Sequence, residues 1–262
     1  MCIRDSTLLN PTAVEALVEK FVDPRVGCVA GEKRIKLNPF ESAVSSGEGL
    51  YWKYESFIKQ LESYNGSALS AAGELYAIRT ELYEELEEDT ILDDFTVSSR
   101  IALKGYLIEY APNAQALETA SLSIAEEKKR KVRIAAGAFQ FLGRNPQLLN
   151  LFRYPKFAFQ FISHKVIRWI IAPPSLFIVP ALNMLILLKK PDSILYQSTM
   201  LMMLLFIFIS LVGWIAKNHR TKVKFLFVPY YILTMNISMI VGLIRHIMGK
   251  QQVTWDKAER SA

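Results

Sequence analysis

Three stretches of the 262-residue chain contain no Asp, Glu, Lys or Arg: Trp169 to Leu188, Ser193 to Ala216 and Phe225 to Ile244. Each is about 20 residues or longer, and a helix needs about that many to cross roughly 30 Å of hydrocarbon. Soluble core helices of this length normally carry a polar stripe, which these lack. Three membrane-crossing helices are therefore expected over 167–248, followed by a polar tail, 249–262. Up to about His164 the chain is mixed and charge-rich, so the hydrophobic content of 51% is unevenly placed.

The net charge is +6, and many basic residues flank the apolar runs: Lys165, Arg168, Lys189, Lys190, Lys217, Arg220, Lys222 and Lys224. That is the pattern of membrane-end anchors and positive-inside loops, so membrane lipids and not nucleic acid are the expected partners. His164, His219 and His246 read as membrane-end residues. Residues 144–166 are rich in Phe, Tyr, Arg and Pro and suit a segment at headgroup depth. With the charge-rich part cytosolic, Lys189 to Asp192 would face outward and Lys217 to Lys224 inward. Three full spans would place the somewhat basic tail outside, against the charge rule. The third run, with Pro229 and Asn236, also suits a helix in the interface.

The part before residue 144 alternates helix and strand signals, which indicates an α/β layer structure. Helices are expected over Pro11 to Phe21, Phe40 to Tyr64, Glu81 to Leu86, Asp94 to Lys104 and Ser123 to Leu142. Val26 to Ala30 and Tyr106 to Tyr110 read as strands, the second ended before Pro112. Ala68 to Arg79 reads as strand, tight turn at Gly73, strand. Few strands are visible for a complete domain. MCIRDS, before Thr7, fits neither a signal peptide nor the helix that follows. It matches translated transposon-end sequence from sequencing libraries, so Met1 to about Ser6 is expected to be a scar and the natural chain to continue upstream. Cys28 then lacks an internal disulfide partner.

Three features carry possible chemistry. Asp93 and Asp94, in LDDF, sit where a helix starts: they either complement its dipole or offer a general base. Arg130 and Arg133, in KRKVRIAAG, share a helical face. They either belong to a solvated surface, with Glu126 pairing Arg130, or clamp a diphosphate. Gly73 and Glu74, in GELYAIR, form a hairpin turn or shape an acceptor pocket. No metal-type cluster is visible, so no metal ligand is assigned.

A glycine turn, an acidic pair about 20 residues on, an Arg-x-x-Arg helix about 40 further and then apolar spans occur in order. This set resembles the C-terminal half of membrane-bound family 2 glycosyltransferases, the group of cellulose, hyaluronan and poly-N-acetylglucosamine synthases. The resemblance implies an incomplete GT-A fold over 7–143 followed by a helical transmembrane region. Leu92-Asp93-Asp94 stands in the place of the family's Thr-Glu-Asp, which makes Asp94 the candidate base. Arg130-Lys131-Val132-Arg133-Ile134 stands for Gln-x-x-Arg-Trp. Arg133 matches, whereas Arg130 replaces Gln and Ile134 replaces the Trp that helps form the acceptor site. Arg168-Trp169 reads as an interfacial anchor.

The implied activity is inverting transfer from a nucleotide-diphospho-sugar to a polysaccharide or lipid-linked acceptor at the cell membrane. A divalent metal, Mg or Mn, is implied, with ligands mostly upstream, and a chain without that half is expected to be inactive by itself. The rival is a non-enzymatic membrane protein, a transporter subunit or scaffold, in which no cleft joins Gly73, Asp94 and Arg133.

Overall fold

The computed structural model describes residues 2–3, 7–36, 43–119, 124–216 and 224–252. Most of the suspected scar, Phe40, Ser123, the basic loop with His219 and Arg220, and most of the tail lie outside these residues.

Five strands form one sheet: β1 (Cys2–Ile3), β2 (Leu8–Leu9), β3 (Val26–Lys36), β4 (Leu75–Ile78) and β5 (Leu107–Thr119), in the order β1-β4-β3-β5-β2. The central pair, β3 and β5, is parallel and the other pairings are antiparallel. A parallel pair is covered on both faces. On one face, Val29 packs with Ala13 and Leu17 of helix α1 (Ala13–Val18). On the other, Cys28 and Ala30 pack with Val97 and Ile101 of α3 (Asp93–Leu103). Burial pushes the Cys28 thiol up to about 12, which makes it an inert core group.

Both central strands run further than their short apolar cores suggest. β5 does not end before Pro112. Its pairing with β3 jumps from Gly31–Ala111 to Glu32–Gln115 and continues to Lys36–Thr119. The three residues left out, Pro112 to Ala114, form a bulge, which removes from the ladder the one residue without an N–H. Asn10 closes this bulge: its Nδ2 donates to the Asn113 carbonyl (3.0 Å), and its Oδ1 accepts the Gln115 N–H (2.8 Å).

Several local expectations are corrected. Ala68 to Arg79 is not a hairpin about Gly73. The chain is irregular until β4, and the Ala68 N–H donates to the Ile108 carbonyl (2.7 Å). Gly73 is not among the glycines with positive φ, so no primed turn forms there. Glu81 to Leu86 is not a helix; one 3-10 turn covers Thr80–Leu82. The first helix starts at Ala13 and ends in a 3-10 turn, Glu19–Val22. Gly105 does stop α3, at φ 91°.

Helix α2 spans Ala43–Tyr64 and α4 spans Ile124–Arg144. Next, α5 (Pro155–Gln160), a π-helical stretch Phe161–Ile171 and α6 (Ala172–Lys189) form one unbroken helix of 35 residues. The surface segment and the first apolar run thus belong to one element. α7 (Ile194–Ala216) packs on α6, where Asn183 Nδ2 donates to Thr199 Oγ1 (2.7 Å). α8 is Lys224–Ile247. All three long helices are apolar enough to cross a membrane.

α8 lies along α4. The approach is set by Gly242: a Cβ there would stand 2.3 Å from Ala135 Cβ and 2.8 Å from the Val132 carbonyl oxygen. Backbone contact this close leaves no side chain to yield. Gly242→Ala is expected to force the helices apart and to cost about 1–3 kcal/mol, read as a lowered unfolding midpoint in detergent. An unchanged midpoint would show that the contact contributes nothing.

Candidate active site

A cleft of about 730 Å³ lies between the sheet domain and the apolar helices. Its domain wall comes from α2, the loops before β4 and α3, and one face of α4. Its other wall is Lys165, Arg168 and Trp169 on the long helix and Ile232, Met235, Asn236 and Met239 on α8. Both sets follow helical spacing, so each helix presents one stripe.

Asp93, Asp94, Glu74, Arg130, Arg133 and Ile134 all line this cleft. Gly73 borders it through a hydrogen bond, its N–H donating to Asp94 Oδ2 at 2.5 Å. Asp94 Oδ1 accepts the Phe95 N–H at 2.7 Å. The first turn of α3 and the Gly73 amide therefore grip one half-buried carboxylate, consistent with dipole complementation and with an oriented base at once. Asp93 is exposed and lacks that grip.

Gly73 and Glu74 serve separate ends. Glu74 is buried, and its Oε1 accepts from Lys33 Nζ at 2.7 Å. Lys33 is fully buried and also pairs with Glu118. On α4, Arg130 is chelated by Glu127 through Nε (2.9 Å) and Nη2 (3.0 Å). Sequence reasoning missed Glu127 as a partner of Arg130, and Glu126 lies 3.8 Å from Lys129. Glu127 is fully buried and its Oε1 lies 3.4 Å from Tyr231 Oη of α8.

The largest group missed from sequence is on α2. Tyr51, Trp52, Glu55 and Lys59 line the cleft. Glu55, Lys59 and Glu62 recur at i, i+4, i+7, which reads as a solvated stripe, yet all three are buried. Glu55 pairs with Arg168 and with Lys165 Nζ (3.1 Å), and His164 Nδ1 lies 2.6 Å from Glu62 Oε1. Arg168 and His164 are thus parts of a charge network with α2, which the sequence reading did not foresee. Trp169 is also buried, its ring 5.9 Å from those of Phe95 and Phe161. No periodicity signals these pairs, because the partners are over 100 residues apart in the chain.

Among the described residues, no group of three or more His, Cys, Asp or Glu side chains could hold a metal ion. They do not fit a divalent metal centre.

Residues 1–217 match the sequence profile of Glycosyl transferase family group 2. The chain belongs to that family. Over 178 residues it is 25% identical to the poly-β-1,6-N-acetyl-D-glucosamine synthase of Staphylococcus aureus strains COL and N315. That alignment covers 65% of this chain and 42% of the synthase, so the chain spans less than half of these relatives. A solved mannosyltransferase from Pyrobaculum calidifontis, in complex with GDP-Man and Mn2+, is similar with a TM-score of 0.61. At 16% identity it covers 95% of this chain and 62% of its own, and it shows a GT-A-type fold. The expected α/β GT-A architecture with appended apolar helices is therefore present.

Burial by itself would raise the Glu55 pKa, but Lys165, His164 and Arg168 override it and hold the carboxyl well below its ordinary value of 4.5. A depressed folded-state pKa contributes stability that is full above the unfolded value and is lost as pH falls through the folded value. Glu55→Gln is expected to remove that part of the acid dependence and to cost on the order of 3 kcal/mol at neutral pH, since two buried cations lose their anion. Unfolding midpoints from neutral pH into acid check both. An unchanged acid slope would exclude Glu55 as its source.

Proposed function

We propose that this chain forms the acceptor side of a membrane-bound inverting glycosyltransferase. The observation that carries the reading is convergence: Asp94, gripped by the Gly73 amide, lines the same cleft as Arg133, against two long apolar helices. The transporter or scaffold reading required these groups to be dispersed.

Asp94 would take the proton of an acceptor hydroxyl. The oxygen then bonds to the anomeric carbon of a nucleotide-diphospho-sugar as the bond from that carbon to the diphosphate breaks, and the leaving charge falls to Arg133. Arg130, held by Glu127, adds positive potential beside it. A Mg or Mn ion accompanying the donor would be held by groups other than the described residues. The synthase relatives favour a polysaccharide acceptor over a lipid-linked one. In the natural protein, Asp94→Asn is expected to lower turnover by about 10²–10⁴-fold with donor affinity unchanged. Transfer rates with nucleotide sugars check this, and substantial residual turnover would sink the assignment.

The reading places the cleft on the cytosolic face of the cell membrane in a multi-pass protein. α8 lies along α4, whose first turns carry Glu126, Glu127, Lys128, Lys129 and Arg130. A membrane-crossing α8 would draw those charges towards the hydrocarbon, at several kcal/mol each. We therefore assign α8 to the interface, with Ile232, Ile244 and Ile247 exposed to lipid, and the tail to the cytosolic side. With Cys2 and Cys28 replaced, Gln252→Cys should react with an impermeant maleimide only from the cytosolic side. Labelling from outside would restore the three-span topology.

A further inference from the structure

We infer that Gln140 is a positioning residue for the transfer: its side-chain amide holds the chain segment that leads into Asp94, and so fixes the base relative to Arg133. The inference rests on the transferase reading and adds what keeps its two central groups in one geometry.

Asp94 lies in the first turn of α3, and that helix starts without a side-chain cap, because Leu92 stands at the cap position. A helix start without a cap has to be held by other means. Here the hold comes from α4. Gln140 Oε1 accepts the Ile91 N–H (3.1 Å), and its Nε2 donates to the Asp89 carbonyl (2.8 Å). Two bonds of opposite sense use both ends of one planar amide, so they fix the direction of the segment as well as its distance. Gly137, one turn before Gln140, lets the segment approach the helix: a Cβ there would stand 2.7 Å from Ile91 Cγ2 and 2.7 Å from Leu92 Cγ. The Leu92 carbonyl in turn accepts from the Thr96 N–H (3.1 Å) and Thr96 Oγ1 (2.6 Å). The held segment thus passes directly into the turn that carries Asp94.

Arg133, Gly137, Gln140 and Arg144 recur at i, i+4, i+7 and i+11, which is one face of α4. The guanidinium that lines the cleft and the amide that holds the segment before the base therefore belong to one helix. Neighbouring contacts do not replace this hold. The Phe95 ring meets that of Phe141 at 4.6 Å, an apolar attraction that follows buried area and grips no backbone. Arg144 Nη2 bonds Asp89 Oδ2 (2.5 Å), but the two side chains are 38% and 58% exposed, where an ion pair contributes little. On its other face α4 is fixed by Gly242 of α8. Loss of the amide clamp would thus release the segment and leave the helix, so that Asp94 drifts while Arg133 stays. A misplacement of about 1 Å at a reacting group costs up to about a hundredfold in turnover.

The test uses the natural protein in nanodiscs. Gln140→Met keeps the length of the side chain and removes both bonds. It should lower kcat roughly tenfold to a hundredfold with donor affinity unchanged. Gln140→Glu, which keeps the acceptor and loses the donor, should also lower kcat and carries the test if the methionine variant fails to fold. Amide hydrogen exchange over Thr90 to Phe95 should quicken about tenfold in Gln140→Met, while exchange in α4 stays as it was. A residue that only supported the fold would lower turnover independently of the base. With Asp94→Asn already in place, Gln140→Met should instead cost no more than about twofold, since the two act as a unit. Unchanged kcat in the folded variants, unchanged exchange over Thr90 to Phe95, or losses that multiply in the double variant would overturn the inference and leave the transferase reading standing. Absence of sugar transfer by the natural protein, or full turnover in Asp94→Asn, would reject the transferase reading, and the inference with it.

Discussion

The constraint on which the rest depends is the buried carboxylate of Glu55. It sits on α2, and its cations, Lys165 and Arg168, sit on the first long apolar helix. Charges taken out of water in this way hold their partners to one geometry, because any relative slide leaves an ion uncompensated. Tyr51 shares the arrangement, with Lys131 4.2 Å and Arg168 5.8 Å from its ring centre, and burial beside Glu55 raises its pKa. The domain is thus tied to the first apolar helix at the cleft itself.

The second tie is made by α4, whose two faces have opposite duties. Val132, Ala135 and Ala136 lie against α8 at Gly242, while Arg130, Arg133 and Ile134 face the cleft. A motif helix held between the sheet domain and an apolar helix keeps its guanidinium groups at the cleft.

The sheet sets the third part of the geometry. Because β5 bulges at Pro112 and resumes pairing, β3 extends to Lys36 and carries Lys33 and Glu118 into register range of one another. Lys33 then reaches Glu74 and Trp52. A local accommodation of one proline therefore ends at the cleft floor.

The sequence by itself determined the apolar helices, the α/β alternation and the start and stop of α3, and it singled out Asp94 and Arg133, which line one cleft. These depend on runs of composition, on periodicity or on short motifs, which are local properties of the chain. Only the tertiary structure decided that Glu55, Lys59 and Glu62 are buried, that Glu127 pairs with Arg130, that β5 passes through Pro112, and that Lys33 meets both Trp52 and Glu74. A charged stripe on a helix looks the same whether water or a partner from over 100 residues away satisfies it. The difference lies in the desolvation and pairing of ions, which depend on what is near in space and leave no trace in the spacing of residues along the chain.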